Sequence, residues 1–109
     1  LVTRRVDHGE GPSPYNALRV DESGQVLEFE EKPRRPFGDL SAIALYFLGP
    51  GTPELLEQYL ASGGNPDAPG HFISWLVSVE RVFARPMPGK WFDIGSLESL
   101  REAREGWGR

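Results

Sequence analysis

A chain of 109 residues, 39% hydrophobic and 26% charged, has room for one domain with a usable core but is short for an enzyme holding two substrates and a metal. No apolar run approaches the roughly 20 residues of a membrane span, and a net charge of -4, with basic residues scattered apart from Lys32, Arg34 and Arg35, argues against a general nucleic-acid surface. The absence of cysteine excludes disulfides, thiolate metal sites and cysteine nucleophiles, and it fits a reducing, cytoplasmic setting.

Residues 1–6 alternate apolar and basic side chains as a half-exposed strand does, and residues 7–14 then break into loop. The start has no signal-peptide layout and no Met, so it reads as a cut in the middle of a longer protein. Residues 17–20 and 25–31 are strand-like and flank Asp21-Glu22-Ser23-Gly24, a turn sequence whose glycine tolerates positive φ. Strict alternation in the second strand predicts Leu27, Phe29 and Glu31 on the inner side and Val26, Glu28 and Glu30 on the outer. The apolar run of residues 42–48 predicts a strand buried on both faces. Three short helices can hardly cover both faces of such a sheet, so an exposed apolar surface is expected to meet other polypeptide.

Thr52-Pro53 predicts a helix start with Thr52 as cap and Leu55, Leu56, Tyr59 and Leu60 as its apolar stripe, stopped by Gly63-Gly64. A shorter helix is predicted to carry Phe72, Ile73, Leu76 and Val77 on one face, followed by a strand over residues 81–85. Ser96 caps a last predicted helix with Leu97, Leu100, Ala103 and Trp107 inward. The order is α/β, a mixed sheet flanked by helices.

Two segments carry chemistry. Glu31-Lys32-Pro33 lies where a strand ends and proline turns the chain away, which fixes both charges near an edge. A carboxylate there can accept two sugar hydroxyls, and the neighbouring ammonium can neutralise a phosphate. Taken alone, the tripeptide reads first as a solvated charged turn. The second segment is Trp91-Phe92-Asp93-Ile94-Gly95-Ser96, in which Asp93 alone could also be a helix cap. His8 and His71 lie too far apart in sequence to suggest a local metal pair, and Ser41, Ser74, Ser78 and Ser99 lack the setting of a nucleophile.

Tyr15 before a strand, Val20-Asp21 and Gly24 in a hairpin, Phe29 to Pro33, Tyr46-Phe47, a Leu-rich helix and Trp91 to Ser96 occur in one order across nearly the whole chain. In that order and spacing the chain resembles the sugar-1-phosphate nucleotidyltransferase family. Residues 65–70, with Phe72-Ile73 and Trp75-Leu76, are similar to its glucose-1-phosphate thymidylyltransferase-like members. The resemblance implies the C-terminal half of a Rossmann-like nucleotidyltransferase fold, part of an enzyme that joins a sugar 1-phosphate to a nucleoside triphosphate and releases pyrophosphate. It also implies that Glu31, Lys32 and Asn16 bind the sugar phosphate and that Asp93 binds Mg²⁺.

The chain departs from the family at Asn16, where many members have Gly, at Ala44-Leu45, and at Ser96 in place of Thr. It also lacks a glycine-rich phosphate loop, since Gly9-Glu10-Gly11-Pro12 runs into prolines and no helix. Residues 1–109 therefore read as the sugar-phosphate-binding part, without the N-terminal nucleotide-binding half and with no catalytic side chain assigned. That half or a second copy is the expected partner, and the chain alone is expected to be inactive. A noncatalytic sugar-nucleotide sensor and a structural fragment are the alternatives.

Overall fold

A computed structural model describes residues 1–108. In chain order the strands are β1 (Val2–Arg5), β2 (Ala17–Val20), β3 (Val26–Glu30), β4 (Leu40–Ala42) and β5 (Arg85–Pro86), and the helices are α1 (Thr52–Ala61), α2 (Pro69–Val79) and α3 (Leu97–Gly106). The strands form one sheet in the order β3-β2-β4-β1-β5. Its pairs are antiparallel except β1 with β5, which is parallel. This is the mixed α/β architecture expected from the sequence.

The β2–β3 hairpin closes on Asp21, whose carboxylate accepts hydrogen bonds from Ser23 Oγ (2.7 Å), Ser23 N (2.8 Å) and Gln25 N (3.0 Å). These contacts, the Ser23 hydroxyl first, hold its carboxyl below the usual range. Gly24 sits at φ 87° with the Ala84 carbonyl oxygen 3.1 Å from where a Cβ would be, so both conformation and space favour glycine there. The strict alternation expected in β3 does not hold. Arg19 pairs with Glu28 but Val20 pairs with Val26, so Leu27 is the extra residue of a bulge. Val26 and Phe29 both enter the core, while Leu27 is exposed.

Leu18, Val26, Phe29, Ala42, Tyr59, Phe72, Ile73, Leu76 and Ala84 make the core, which lies between the sheet and α1 and α2. Tyr59 packs obliquely on Phe72 and Trp75, each at a centroid distance of 5.5 Å. Ser74 Oγ donates to the Phe29 carbonyl at 2.8 Å and ties α2 to β3.

Four other expectations are corrected. The doubly buried strand of residues 42–48 is not formed, because β4 ends at Ala42 and Ala44 turns to φ 63°. Ile43 and Leu45 still pair through their backbones with Val2, but Leu45, Phe47 (82% exposed) and Leu48 face outward. Helix α1 takes Gly51 as N-cap, with Thr52 already inside it, and Leu56 and Leu60 of its stripe remain exposed. The strand expected over 81–85 is reduced to Arg85–Pro86 beside β1, because residues 82–84 bond to the hairpin turn instead, with Val26 N donating to the Val82 carbonyl (2.7 Å) and Ala84 N to the Gly24 carbonyl (2.8 Å).

Ser96 does cap α3, with Ser99 N donating to Ser96 Oγ (3.1 Å) and Ser96 N donating to Ser99 Oγ (2.9 Å). Its stripe is nonetheless mostly outside, since Ala103 is buried while Leu97 and Trp107 (74% exposed) are not. The reason is that α3 rests on the preceding segment instead of the sheet. Lys90 Nζ donates to the Gly106 carbonyl (2.9 Å), and the Phe92 ring lies against Gly106.

Candidate functional site

The open end of the β2–β3 hairpin sets the first part of the site. Ala17 pairs with Glu30, so Asn16 and Glu31 stand across from each other one residue beyond the ladder. Pro33 is fully buried, and its carbonyl accepts from Ser13 N at 3.1 Å. The chain thus turns sharply at Lys32, which is exposed and held at φ 46°, a left-handed conformation that costs an L-residue about 1 kcal/mol. Strain of this kind at a charged residue persists only where neighbours impose it, and it aims the side chain.

Glu31 leans the other way, toward α2. A Cβ built on Gly70 would lie 1.5 Å from Glu31 Oε2, so the carboxylate occupies the space that glycine leaves in the first turn of the helix. Pro69 has no N–H and His71 N donates to the Ala68 carbonyl (3.1 Å), so the positive end of the helix dipole is what favours a carboxylate there. On another side of Glu31 is Tyr46, a neighbour the sequence reading did not assign to the site. Burial, and secondarily the Glu31 charge, push its phenol above the ordinary value of 10.0. Its hydroxyl in an otherwise apolar run was the available signal.

The neutral Tyr46 phenol is favoured by the fold, so its contribution to stability is complete below pH 10.0, the ordinary value, and is lost as the pH rises through its higher folded value. Glu31→Gln should move the tyrosinate absorbance midpoint of Tyr46 only part of the way back, because burial is the larger cause. An unmoved midpoint would show that Glu31 does not act on Tyr46.

Asn16 is 8% exposed and its amide is engaged with β4. Nδ2 donates to the Ala42 carbonyl (3.0 Å), and Oδ1 accepts from Ala42 N (2.7 Å) and Ser41 Oγ (3.2 Å). It works as a backbone mimic that ends the strand where a glycine could not. His8 is likewise in contact with the frame, Nδ1 with Ser13 Oγ (3.3 Å) and Nε2 with the Leu40 carbonyl (3.2 Å).

Asp93 is exposed in the loop before α3, and the cap of that helix is Ser96, so Asp93 is not its N-cap. Two residues earlier, Trp91 stacks on the Arg4 guanidinium at 4.2 Å, and Tyr15 meets the same group at 5.1 Å. The Asn16 and Asp93 segments, far apart in sequence, are thereby joined through β1. Among the described residues no three His, Asp or Glu side chains converge into a metal cage. A single Asp remains adequate as one ligand of a cation otherwise held by phosphate and water.

The sequence profile described as Nucleotidyl transferase matches residues 1–107. The chain belongs to that family. Curated relatives include the glucose-1-phosphate adenylyltransferase of Geobacillus stearothermophilus, 33% identical over 101 residues, covering 86% of this chain and 25% of the relative. The protein of the same name from Thermomicrobium roseum is 33% identical over 109 residues, covering 94% and 24%. That from Desulforamulus reducens is 31% identical over 97 residues, covering 84% and 24%. The chain therefore spans about a quarter of the length of these members of the nucleotidyl transferase family. These relatives are named for adenylyl transfer, whereas residues 65–76 resemble thymidylyltransferase-like members.

Proposed function

We propose that this chain forms the sugar-phosphate side of a sugar-1-phosphate nucleotidyltransferase. The carrying observation is the family match over residues 1–107, which includes both charged segments. In the reaction, a phosphate oxygen of the sugar 1-phosphate bonds to the α-phosphorus of a nucleoside triphosphate as the bond to pyrophosphate breaks, yielding an NDP-sugar. Such transfer depends on positioning and charge stabilisation more than on a covalent protein intermediate. The relatives' names make glucose 1-phosphate and ATP the first substrates to test.

Glu31, set against α2 with Tyr46 beside it, receives the sugar hydroxyls in this reading, and Lys32 faces the phosphate. Asn16, fixed on β4, meets the sugar through its remaining amide hydrogen. The exposed Asp93 carboxylate is one ligand for Mg²⁺, an ion that takes one or two protein carboxylates beside substrate phosphates and supplies charge neutralisation when bound. No helix among the described residues is long and apolar enough to cross a membrane. A cytoplasmic setting belongs to this reading because sugar phosphates and nucleoside triphosphates meet there.

With glucose 1-phosphate, ATP and Mg²⁺, the 109-residue chain alone is expected to bind the sugar phosphate in calorimetry but release no pyrophosphate. Sustained turnover by pure chain would overturn this division of labour. A folded chain that binds no sugar 1-phosphate would overturn the substrate assignment.

The reading also accounts for the outward apolar side chains. Phe47, Leu48, Leu55 and Phe83 line a groove of about 510 Å³ beside Leu1, a surface of the kind that polypeptide covers. Its proposed occupant is the nucleotide-binding part, in keeping with the three-quarters of the relatives' length that lies outside the match. The chain alone should then self-associate in sedimentation velocity. A monomer at high concentration would count against a covered face.

A further inference from the structure

Arg4 is a half-buried cation on β1 whose guanidinium lies 4.2 Å from the Trp91 ring centre and 5.1 Å from that of Tyr15. Among the described residues its N–H groups have no hydrogen-bond or ion-pair acceptor. Arg5, the next residue, is paired with Asp39 at the other face. Alternation along β1 puts Thr3 and Arg5 on the side of Leu40, and Arg4 on the side of Ser41. Arg4 therefore shares a face with the Tyr15-Asn16 and Trp91–Asp93 segments.

A guanidinium packed between rings keeps its plane fixed while its donors remain at its edge, so it loses little freedom when a planar or tetrahedral oxyanion docks. Among the described residues its charge has no counter-ion, which leaves an oxyanion as the natural complement. Lys32 supplies a compact point charge on a flexible stem, whereas Arg4 can offer two parallel N–H donors.

We infer that Arg4 is a further phosphate-binding residue of this site, preset by Tyr15 and Trp91 to take a phosphoryl group through paired N–H donors. The inference rests on the proposed substrate class but names a contact independent of Glu31 and Lys32. It also gives Trp91 and Tyr15 a shared purpose, since removing either ring would free the guanidinium to swing away.

The test follows the arginine side-chain Nε–H resonances by NMR, with Arg4 assigned through Arg4→Lys, while inorganic phosphate, glucose 1-phosphate or ATP is added. The Arg4 signal is expected to shift and saturate with at least one of them, and the one that acts at lowest concentration names the source of the phosphoryl group. An Arg4 signal unmoved by all three overturns the inference, because a purely structural strut would give that result. In parallel, Arg4→Met keeps a long stem between the rings and should weaken binding of glucose 1-phosphate about tenfold, with the melting temperature little changed. Should this variant fail to fold, the resonance test on the unchanged protein still decides. Lys32→Ala serves as the control for the broader reading. If it weakens binding and Arg4→Met does not, only the Arg4 contact falls; if the unchanged protein binds none of the three, the substrate class falls first.

Discussion

In the active enzyme, Asp93→Asn is expected to lower kcat by roughly a hundredfold, the scale of losing one preorganised electrostatic contact at a transition state, and to raise the Mg²⁺ concentration needed for activity. The substitution keeps the shape of the side chain but removes its charge. Folding should be unaffected, because the residue is exposed and the cap of α3 belongs to Ser96. Lys32→Ala should fail differently. In the proposed site it removes a counter-charge used mainly in binding, so KM for the sugar phosphate should rise roughly ten- to a hundredfold, for a loss of about 1.5–3 kcal/mol from a charge-assisted contact. Steady-state kinetics across a Mg²⁺ series separates the two. If Asp93→Asn leaves both kcat and the metal requirement unchanged in a folded protein, the metal assignment at Asp93 must be abandoned.

Gly70→Ala is expected to act on the sugar end of the site without touching substrate. The added methyl would fall 1.5 Å from Glu31 Oε2 and 2.5 Å from its Cδ, so the carboxylate must move off the first turn of α2. Because the obstructing atoms are the far end of a flexible side chain, the melting temperature should change little. What changes is the aim of Glu31, and losing the hydroxyl hydrogen bonds proposed for it should raise KM for the sugar phosphate roughly tenfold or more. The tyrosinate midpoint of Tyr46 should shift at the same time, because the Glu31 charge that helps to raise it has changed position. A Gly70→Ala variant with unaltered KM and an unaltered Tyr46 titration would sink the idea that this glycine positions Glu31.

Several features were legible in the residues because their physical causes are local. Asp21 and Gly24 specify the hairpin through side-chain acceptors and a positive φ, and Ser96 with Ser99 specifies the start of α3. The stop at Pro33 and the face of α2 carrying Phe72, Ile73 and Leu76 follow from proline geometry and helical period in the same way. The family order of Glu31-Lys32-Pro33 and Trp91 to Ser96 is likewise a property of the chain itself.

Other features depend on what a segment meets after folding. The bulge at Leu27 arises from how β3 registers on β2, and it puts Val26 into the core in place of Leu27 while Phe29 stays inward. Residues 42–48 are as apolar as a buried strand, yet hydrophobicity reports only a need for cover and not what provides it. The stripe of α3 failed to predict burial for the same reason, since that helix rests on Phe92 and Lys90 and not on the sheet. The site neighbours of Glu31 and Arg4 were also hidden, because Gly70 and Tyr46, like Trp91 and Tyr15, are brought there from distant positions by the fold. Local backbone preferences and the chemical types of the charged residues are thus determined by sequence alone. Which face is covered, and which group stands beside each charge, is decided by tertiary contacts between segments that carry no mark of one another.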